Sequence, residues 1–211
     1  MKRVGLFGGT FDPPHNGHIH IAQAFADELK LDNVIFIPAG DPYHKLRQSN
    51  STAEQRLCMV EQVIAMDKRF SVSDCDVRRK GPTYTIDTVS LFRQVFTQTQ
   101  LWWLLGMDSL LQLPKWYRYQ ALLQSVNLAI AQRGEQGLTE LPNDLQGWLP
   151  EALAKNLIAP DGADGGRAKL LQASFLPVSS HEIRAEWSKG KHDDVPATVA
   201  QYIDQENLYR A

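Results

Sequence analysis

The chain has 211 residues, 43% of them apolar, enough to bury a sizeable core in one domain; 22 basic and 24 acidic side chains leave a formal net charge of -2. That balance excludes a bulk electrostatic partner such as nucleic acid or an anionic membrane, so an anionic ligand needs a local positive site. No apolar run is long enough for a membrane span or a secretory leader, and Cys58 and Cys75 stand in no CxxC pair or Cys/His cluster, so a reducing, cytoplasmic setting with buried thiols is expected.

In chain order, Val4 to Phe7 is a short apolar run ending in Gly8-Gly9, which reads as a buried strand and a turn. Ile19, Ala22, Phe25, Ala26 and Leu29 recur at helical spacing over Gly17 to Leu29. Val34 to Ile37 is a second strand, stopped by Pro38. Thr52 and Gln55 form a capping box for a helix carrying Leu57, Val60 and Ile64. Phe70 to Ser73 is a third strand candidate, and Ile86, Val89, Phe92 and Phe96 mark a helix over Thr85 to Phe96. Leu101 to Leu105 is the strongest buried-strand run. Helical sequence follows from Ser109 to a break at Pro114, then strands at Leu128 to Ala131 and Leu170 to Phe175. The glycine-rich stretch from Pro160 to Arg167 reads as a mobile surface loop, and helices near Ser180 to Lys189 and Ala197 to Glu206 close the chain.

Near-continuous apolar strands separated by helices predict an α/β fold: a Rossmann-like, doubly wound parallel sheet with flanking helices and a small C-terminal helical part from about residue 178. Residues 1–211 are expected to form one domain.

Two segments carry chemistry. The first, Gly8-Gly9-Thr10-Phe11-Asp12-Pro13-Pro14-His15-Asn16-Gly17-His18, lies between the first strand and the first helix, where open α/β sheets meet their ligands. Glycines allow close backbone approach, a helix N-terminus favours phosphate, and His15 and His18 fall on one face of the first turn, offering ring donors to a shared anion. The string is neither GxGxxG nor a P-loop, since no Gly-Lys-Ser/Thr follows. The second, Val178-Ser179-Ser180-His181-Glu182-Ile183-Arg184, places a serine N-cap before a helix with Arg184 in it.

The first segment resembles the signature of the HxGH nucleotidyltransferase superfamily, and the second resembles its ISSTxIR signature, with Val178 for the usual Ile and His181 for the usual Thr or Ala. Pro42-Tyr43-His44-Lys45 is similar to the PPHK segment of nicotinate-nucleotide adenylyltransferases, Gly81-Pro82-Thr83-Tyr84-Thr85 to their PSYT, and Gly106-Met107-Asp108-Ser109-Leu110 with Trp116-Tyr117 to their GxDSL…WY. The resemblance spans nearly the whole chain. It implies adenylyl transfer from ATP to nicotinate mononucleotide, giving nicotinate adenine dinucleotide and pyrophosphate, with Mg2+ carried on ATP.

It also implies the roles. His15, His18, Lys45 and Arg184 are the expected catalytic set. Gly8, Gly9, Thr10, Phe11, His15, His18, Asp108, Arg133, Ser179, Ser180 and Arg184 are the expected ATP contacts. His44, Lys45, Thr85, Trp116 and Tyr117 are the expected acceptor contacts. Arg133 departs from the family pattern, because Gly134-Glu135 replaces the usual Pro-Gly after it. A different acceptor such as phosphopantetheine, or a nucleotide-binding module without chemistry, is the alternative; nucleic acid and membrane are not expected as partners.

Overall fold

The computed structural model describes residues 1–40, 50–132, 141–155, 165–173, 176–190 and 192–210. Its strands are β1 (Lys2–Gly9), β2 (Asn33–Pro38), β3 (Phe70–Val72), β4 (Thr99–Gly106), β5 (Asn127–Ala131) and β6 (Ala168–Leu170). They form one six-stranded sheet in the order β3-β2-β1-β4-β5-β6, with every pairing parallel. This is the doubly wound arrangement, and the order reverses between β1 and β4.

Both faces of the sheet are covered, which is why its central strands are apolar at successive positions instead of alternate ones. Phe7, Trp102 and Leu104 point into one core with α1 (Asn16–Glu28), α2 (Ala53–Val63), α8 (Ser180–Glu186) and α9 (Ala197–Gln205). Leu6, Trp103 and Leu105 point into the other with α3 (Thr85–Val95), α4 (Met107–Gln112), α5 (Tyr119–Ser125), α6 (Asn143–Gln146) and α7 (Trp148–Ala154). Residues 141–155, which no sequence pattern assigned, pack as α6 and α7, with Leu145, Leu149 and Ala152 buried against the second core.

Local signals explain some element ends. Thr52 and Gln55 exchange side-chain and backbone hydrogen bonds in the expected capping box. Four details differ from expectation. β6 pairs over Ala168–Leu170, earlier than the apolar run at Leu170-Leu171 suggests, because its partner is Leu128 to Ile130 of β5. The helix after β4 starts at Met107 with Gly106 as its N-cap, so Asp108 lies in the first turn. The cysteines are half-buried free thiols, not core residues. The end of the glycine-rich loop is docked: a Cβ on Gly165 would meet Val126 N at 2.4 Å, and Gly166 N–H donates to Val126 O at 3.3 Å. No helix among the described residues is long and apolar enough to cross a membrane.

Candidate active site

A cleft of about 350 Å3 opens at the carboxyl ends of β1 and β4, the point where the strand order reverses. Gly8 and Gly9 of β1, Leu105 and Gly106 of β4 and Ala131 of β5 form its strand side. The starts of three helices converge on it, through His15 and His18 of α1, Met107 to Ser109 of α4, and Ser179 and Ser180 of α8; Trp116 also lines it. Helix starts carry unpaired N–H groups and a partial positive charge, so the cleft is suited to an anion although the whole chain is slightly acidic.

The two histidines are built into the start of α1. His15 is the N-cap and His18 the third helical residue, and they form a reciprocal capping box. His18 N–H donates to Nδ1 of His15 at 3.3 Å, and His15 N–H donates to Nδ1 of His18 at 3.3 Å. The rings stack with centroids 3.7 Å apart. Each Nδ1 therefore acts as an acceptor, so the neutral tautomer of each ring carries its proton on Nε2 and offers a donor there. Burial, and then the neighbouring His15, hold the His18 imidazole well below its ordinary value, so it is uncharged at neutral pH.

Beneath the pair lies an aromatic floor. Phe11 has a positive φ of 51° and its ring meets His18 edge-on at 5.0 Å, with Phe7 at 5.4 Å and Phe36 at 5.7 Å. Phe11 is thus a core residue supporting His18 and does not line the cleft; Thr10 is exposed beside it. A Cβ on Gly8 would lie 2.5 Å from the Trp103 ring, and one on Gly9 would lie 2.8 Å from Phe11. These glycines are fixed from behind by packed aromatics as well as by their position at the cleft.

α8 reaches the same place from the far end of the chain. Ser179 is its N-cap by backbone geometry but makes no side-chain capping bond. The Ser180 hydroxyl instead donates to Pro13 O at 2.9 Å, joining α8 to the loop before α1. Arg184 is not a lining residue; its Nη1 donates to the main-chain O of Asp12 at 2.5 Å. Asn16 ties the same helix start to the C-terminal part, through its N–H on Asp194 O at 2.8 Å and its amide on Asp193 O at 3.1 Å.

The half-buried Trp116, which also lines the cleft, follows a short turn after α4. Tyr117 is exposed, and its ring packs on Tyr84 at 4.4 Å, which brings the 116–117 segment against the start of α3 where Thr85 is the first helical residue. Thr85 itself does not line the cleft in this structure. His44, Lys45 and Arg133 lie outside the described residues.

Sequence reasoning passed over several residues that hold this region together. Asp12 is 5% exposed, and its carboxylate accepts from Tyr209 OH at 2.6 Å and Ser51 Oγ at 2.5 Å. Arg56 is 1% exposed, and its guanidinium donates to Ser51 O at 2.9 Å and Ala39 O at 2.6 Å. It therefore joins the end of β2 to the start of α2. Asp76 is buried and accepts from Thr88 Oγ1 at 2.7 Å, next to the close approach of Gly40 to its main-chain O. None of these is marked by a sequence pattern, because each makes at least one contact twelve or more positions away in the chain.

Comparison with known proteins bears on the family and the fold. The model of the cytidylyltransferase-like family matches residues 6–186. A Neisseria meningitidis protein named "Probable nicotinate-nucleotide adenylyltransferase" is 50% identical over 99% of both chains. One of the same name from Chromobacterium violaceum is 38% identical, again over 99% of both. The solved structure of Plasmodium falciparum nicotinic acid mononucleotide adenylyltransferase, complexed with NaAD, superposes with a TM-score of 0.73 over 99% of this chain and 98% of that one. At 16% identity that last likeness is one of fold.

Proposed function

The chain belongs to the nicotinate-nucleotide adenylyltransferases, within the cytidylyltransferase-like family, and from this premise we propose that it joins the adenylyl group of ATP to nicotinate mononucleotide. The observation that carries the reading is the stacked His15–His18 pair at the start of α1, facing a cleft at the sheet's reversal point.

In this reading, an oxygen of the mononucleotide's 5′-phosphate attacks the α-phosphorus of ATP in line. The bond from that phosphorus to the bridging oxygen of the β-phosphate breaks, and pyrophosphate leaves with the electron pair. The attacking oxygen is already an anion, so no protein nucleophile is required. Catalysis then rests on positioning and on stabilising the charge that builds on the transferring group.

The chain's own residues divide this work. His18 donates Nε2–H to the transferring phosphoryl group, and His15 supports it with a second ring donor. Gly8 and Gly9 admit the nucleotide against the end of β1, and Thr10 and Phe11 flank and support that turn. Asp108, in the first turn of α4, accepts from ribose hydroxyls. Ser179, Ser180 and the start of α8 meet the phosphates, and Arg184 adds a fixed positive charge. Trp116 stacks on the pyridine ring, beside Tyr117, while the backbone at Thr85 donates to its carboxylate. His44, Lys45 and Arg133 complete the set by family resemblance, as phosphate-facing groups.

A divalent cation suits this chemistry, and Mg2+ is the one we assign. It neutralises phosphate charge while taking most of its oxygen ligands from ATP and water. We further take residues 1–211 as one catalytic unit with small-molecule substrates only, working in the cytoplasm.

The test is pyrophosphate release by the purified protein with Mg-ATP, comparing nicotinate mononucleotide, nicotinamide mononucleotide and phosphopantetheine at equal concentration. Preference for the first is the expected result. Turnover only with another acceptor would refute the assignment of the Trp116 end. ATP binding without turnover on any acceptor would refute the enzyme.

A further inference from the structure

Residues 73–84 run from the end of β3 to the start of α3 without regular structure, and one carboxylate fastens them. Asp76 is 8% exposed, and its Oδ1 accepts from the hydroxyl of Thr88 at 2.7 Å, twelve positions further on and inside α3. Thr88 is itself fully buried, and the Arg79 guanidinium stands 3.5 Å from the same carboxylate oxygen. The main-chain O of Asp76 faces Gly40 so closely that no Cβ fits there. Ala39, next to Gly40, donates its N–H to Gly9 O at 2.9 Å. A short path of contacts thus leads from the glycine turn of β1, through Ala39 and Gly40, to Asp76, and through Thr88 into α3.

The direction of the Thr88 hydroxyl is informative. A threonine inside a helix ordinarily turns its hydroxyl back on the carbonyl four residues earlier. Here that carbonyl, Tyr84 O, is 3.4 Å from Thr88 Oγ1 while Asp76 Oδ1 is at 2.7 Å, so the one hydroxyl proton goes to the carboxylate. The bond joins two segments and does nothing for its own helix. Tyr84, the N-cap, makes no side-chain capping bond. The start of α3 is therefore located by tertiary contacts: Thr88 on Asp76, and the Tyr84 ring on Tyr117.

We infer that Asp76 and Thr88 are positioning residues for the acceptor: their hydrogen bond holds the start of α3 at a fixed distance from the β1 turn, and so sets the Thr85 N–H where the pyridine carboxylate meets it while the mononucleotide's phosphate reaches ATP. The inference rests on the reading of Thr85 as the carboxylate's main-chain donor. A hydrogen bond weakens steeply with misalignment, and one to an ionised acceptor is the stronger kind. A loosened α3 therefore penalises the acid mononucleotide more than the amide, whose uncharged substituent gains less from that donor.

The experiment is steady-state kinetics on wild type, Thr88→Val, Thr88→Ser, Asp76→Asn, Thr85→Pro and Thr85→Ala, varying ATP, nicotinate mononucleotide and nicotinamide mononucleotide in turn. Thr85→Pro deletes the main-chain donor itself at the first helical position, where proline is tolerated. Tyr84 before it, at φ -95° and ψ 136°, already has the extended backbone that a following proline requires. Thr85→Ala removes the side chain and keeps the donor. Thr88→Val is expected to raise the KM for nicotinate mononucleotide about tenfold, the scale of a lost hydrogen bond to a charged group, and to lower the preference for acid over amide. The KM for ATP stays within about twofold, and Thr88→Ser recovers most of the loss. Asp76→Asn, a neutral acceptor of similar shape, gives the same split at about threefold. Thr85→Pro gives it as strongly as Thr88→Val, and Thr85→Ala does not. If Thr85→Pro shows the split but Thr88→Val and Asp76→Asn leave the acceptor KM intact, or raise both substrates' KM equally, the positioning role is overturned while the reading of Thr85 stands. Failure of Thr88→Ser to recover the acceptor KM overturns it too. If Thr85→Pro behaves as wild type, the reading of Thr85 falls and the positioning role with it. Should Thr88→Val fail to fold, Asp76→Asn carries the same test from the acceptor side of the bond.

Discussion

His15 and His18 cap each other: the main-chain N–H of each donates to Nδ1 of the other at 3.3 Å while their rings stack at 3.7 Å. A spacing that could serve only to put two imidazoles on one helical face thereby also fixes their tautomers. The structural and chemical roles of His18 can be separated by substitution. Glutamine at the third helical position closes a capping box as histidine does here. His18→Ala is expected to lower kcat at least about a hundredfold, the scale of losing one preorganised donor, and to cost about 1 kcal/mol of stability with the lost cap. His18→Gln is expected to restore the melting temperature but to leave kcat at least about tenfold below wild type. A glutamine variant with wild-type kcat would remove the imidazole from the mechanism.

The depressed His18 pKa predicts a direction for stability against pH. Its folded value lies below the unfolded value of about 6.5, because burial and then His15 disfavour the imidazolium. Between those two values the unfolded chain binds more protons than the native one. Stability therefore falls as pH drops through the unfolded value, and this contribution stops falling below the folded value. Urea unfolding from pH 7.5 down to pH 5 should show that acid-side loss in wild type and a shallower one in His18→Gln. Identical slopes in the two proteins would mean that His18 titrates as an ordinary exposed histidine.

How far the sequence discloses this architecture depends on the range of each interaction. The strands from Val4, Val34, Leu101 and Leu128 are legible because a parallel sheet buried on both faces demands unbroken apolar runs. The capping box at Thr52 is legible because donor and acceptor lie three residues apart. The edge strand β6 is only three residues long, and the strongest apolar signal falls at its end. Ser179 looks like a capping side chain, yet the contact that forms is Ser180 to Pro13, across 167 positions. The same holds for Tyr209 on Asp12 and Arg56 on Ala39: no period or local spacing marks a side chain whose partner is set by topology.

Trp116 provides a test of the acceptor end. It lines the same cleft as the histidines, and Tyr117 beside it packs on Tyr84 at the start of α3. Trp116→Ala is expected to raise the acceptor KM about tenfold, equal to about 1.4 kcal/mol, by removing a flat stacking surface. The KM for ATP should change by less than about twofold, and Trp116→Phe should recover most of the loss. Equal rises for both substrates would place Trp116 in general packing of the cleft and not under the pyridine.

Gly8 and Gly106 border the same cleft for different reasons, and alanine distinguishes them. A Cβ on Gly8 would sit 2.5 Å from the Trp103 ring, which is itself buried at 5% exposure, so neither side can yield freely. Gly8→Ala should destabilise the protein by about 1–3 kcal/mol through overpacking, with activity lost as the β1 turn shifts. A Cβ on Gly106 meets nothing within 4 Å, and its φ of -82° with ψ of 164° is open to any residue. Gly106→Ala should therefore leave the melting temperature unchanged while placing a methyl group at the junction of β4 and α4, on the lining of the cleft where the nucleotide is proposed to lie. Calorimetry and ATP affinity on the two variants read this directly. An unchanged ATP affinity in a fully stable Gly106→Ala protein would show that the nucleotide does not pass over the end of β4.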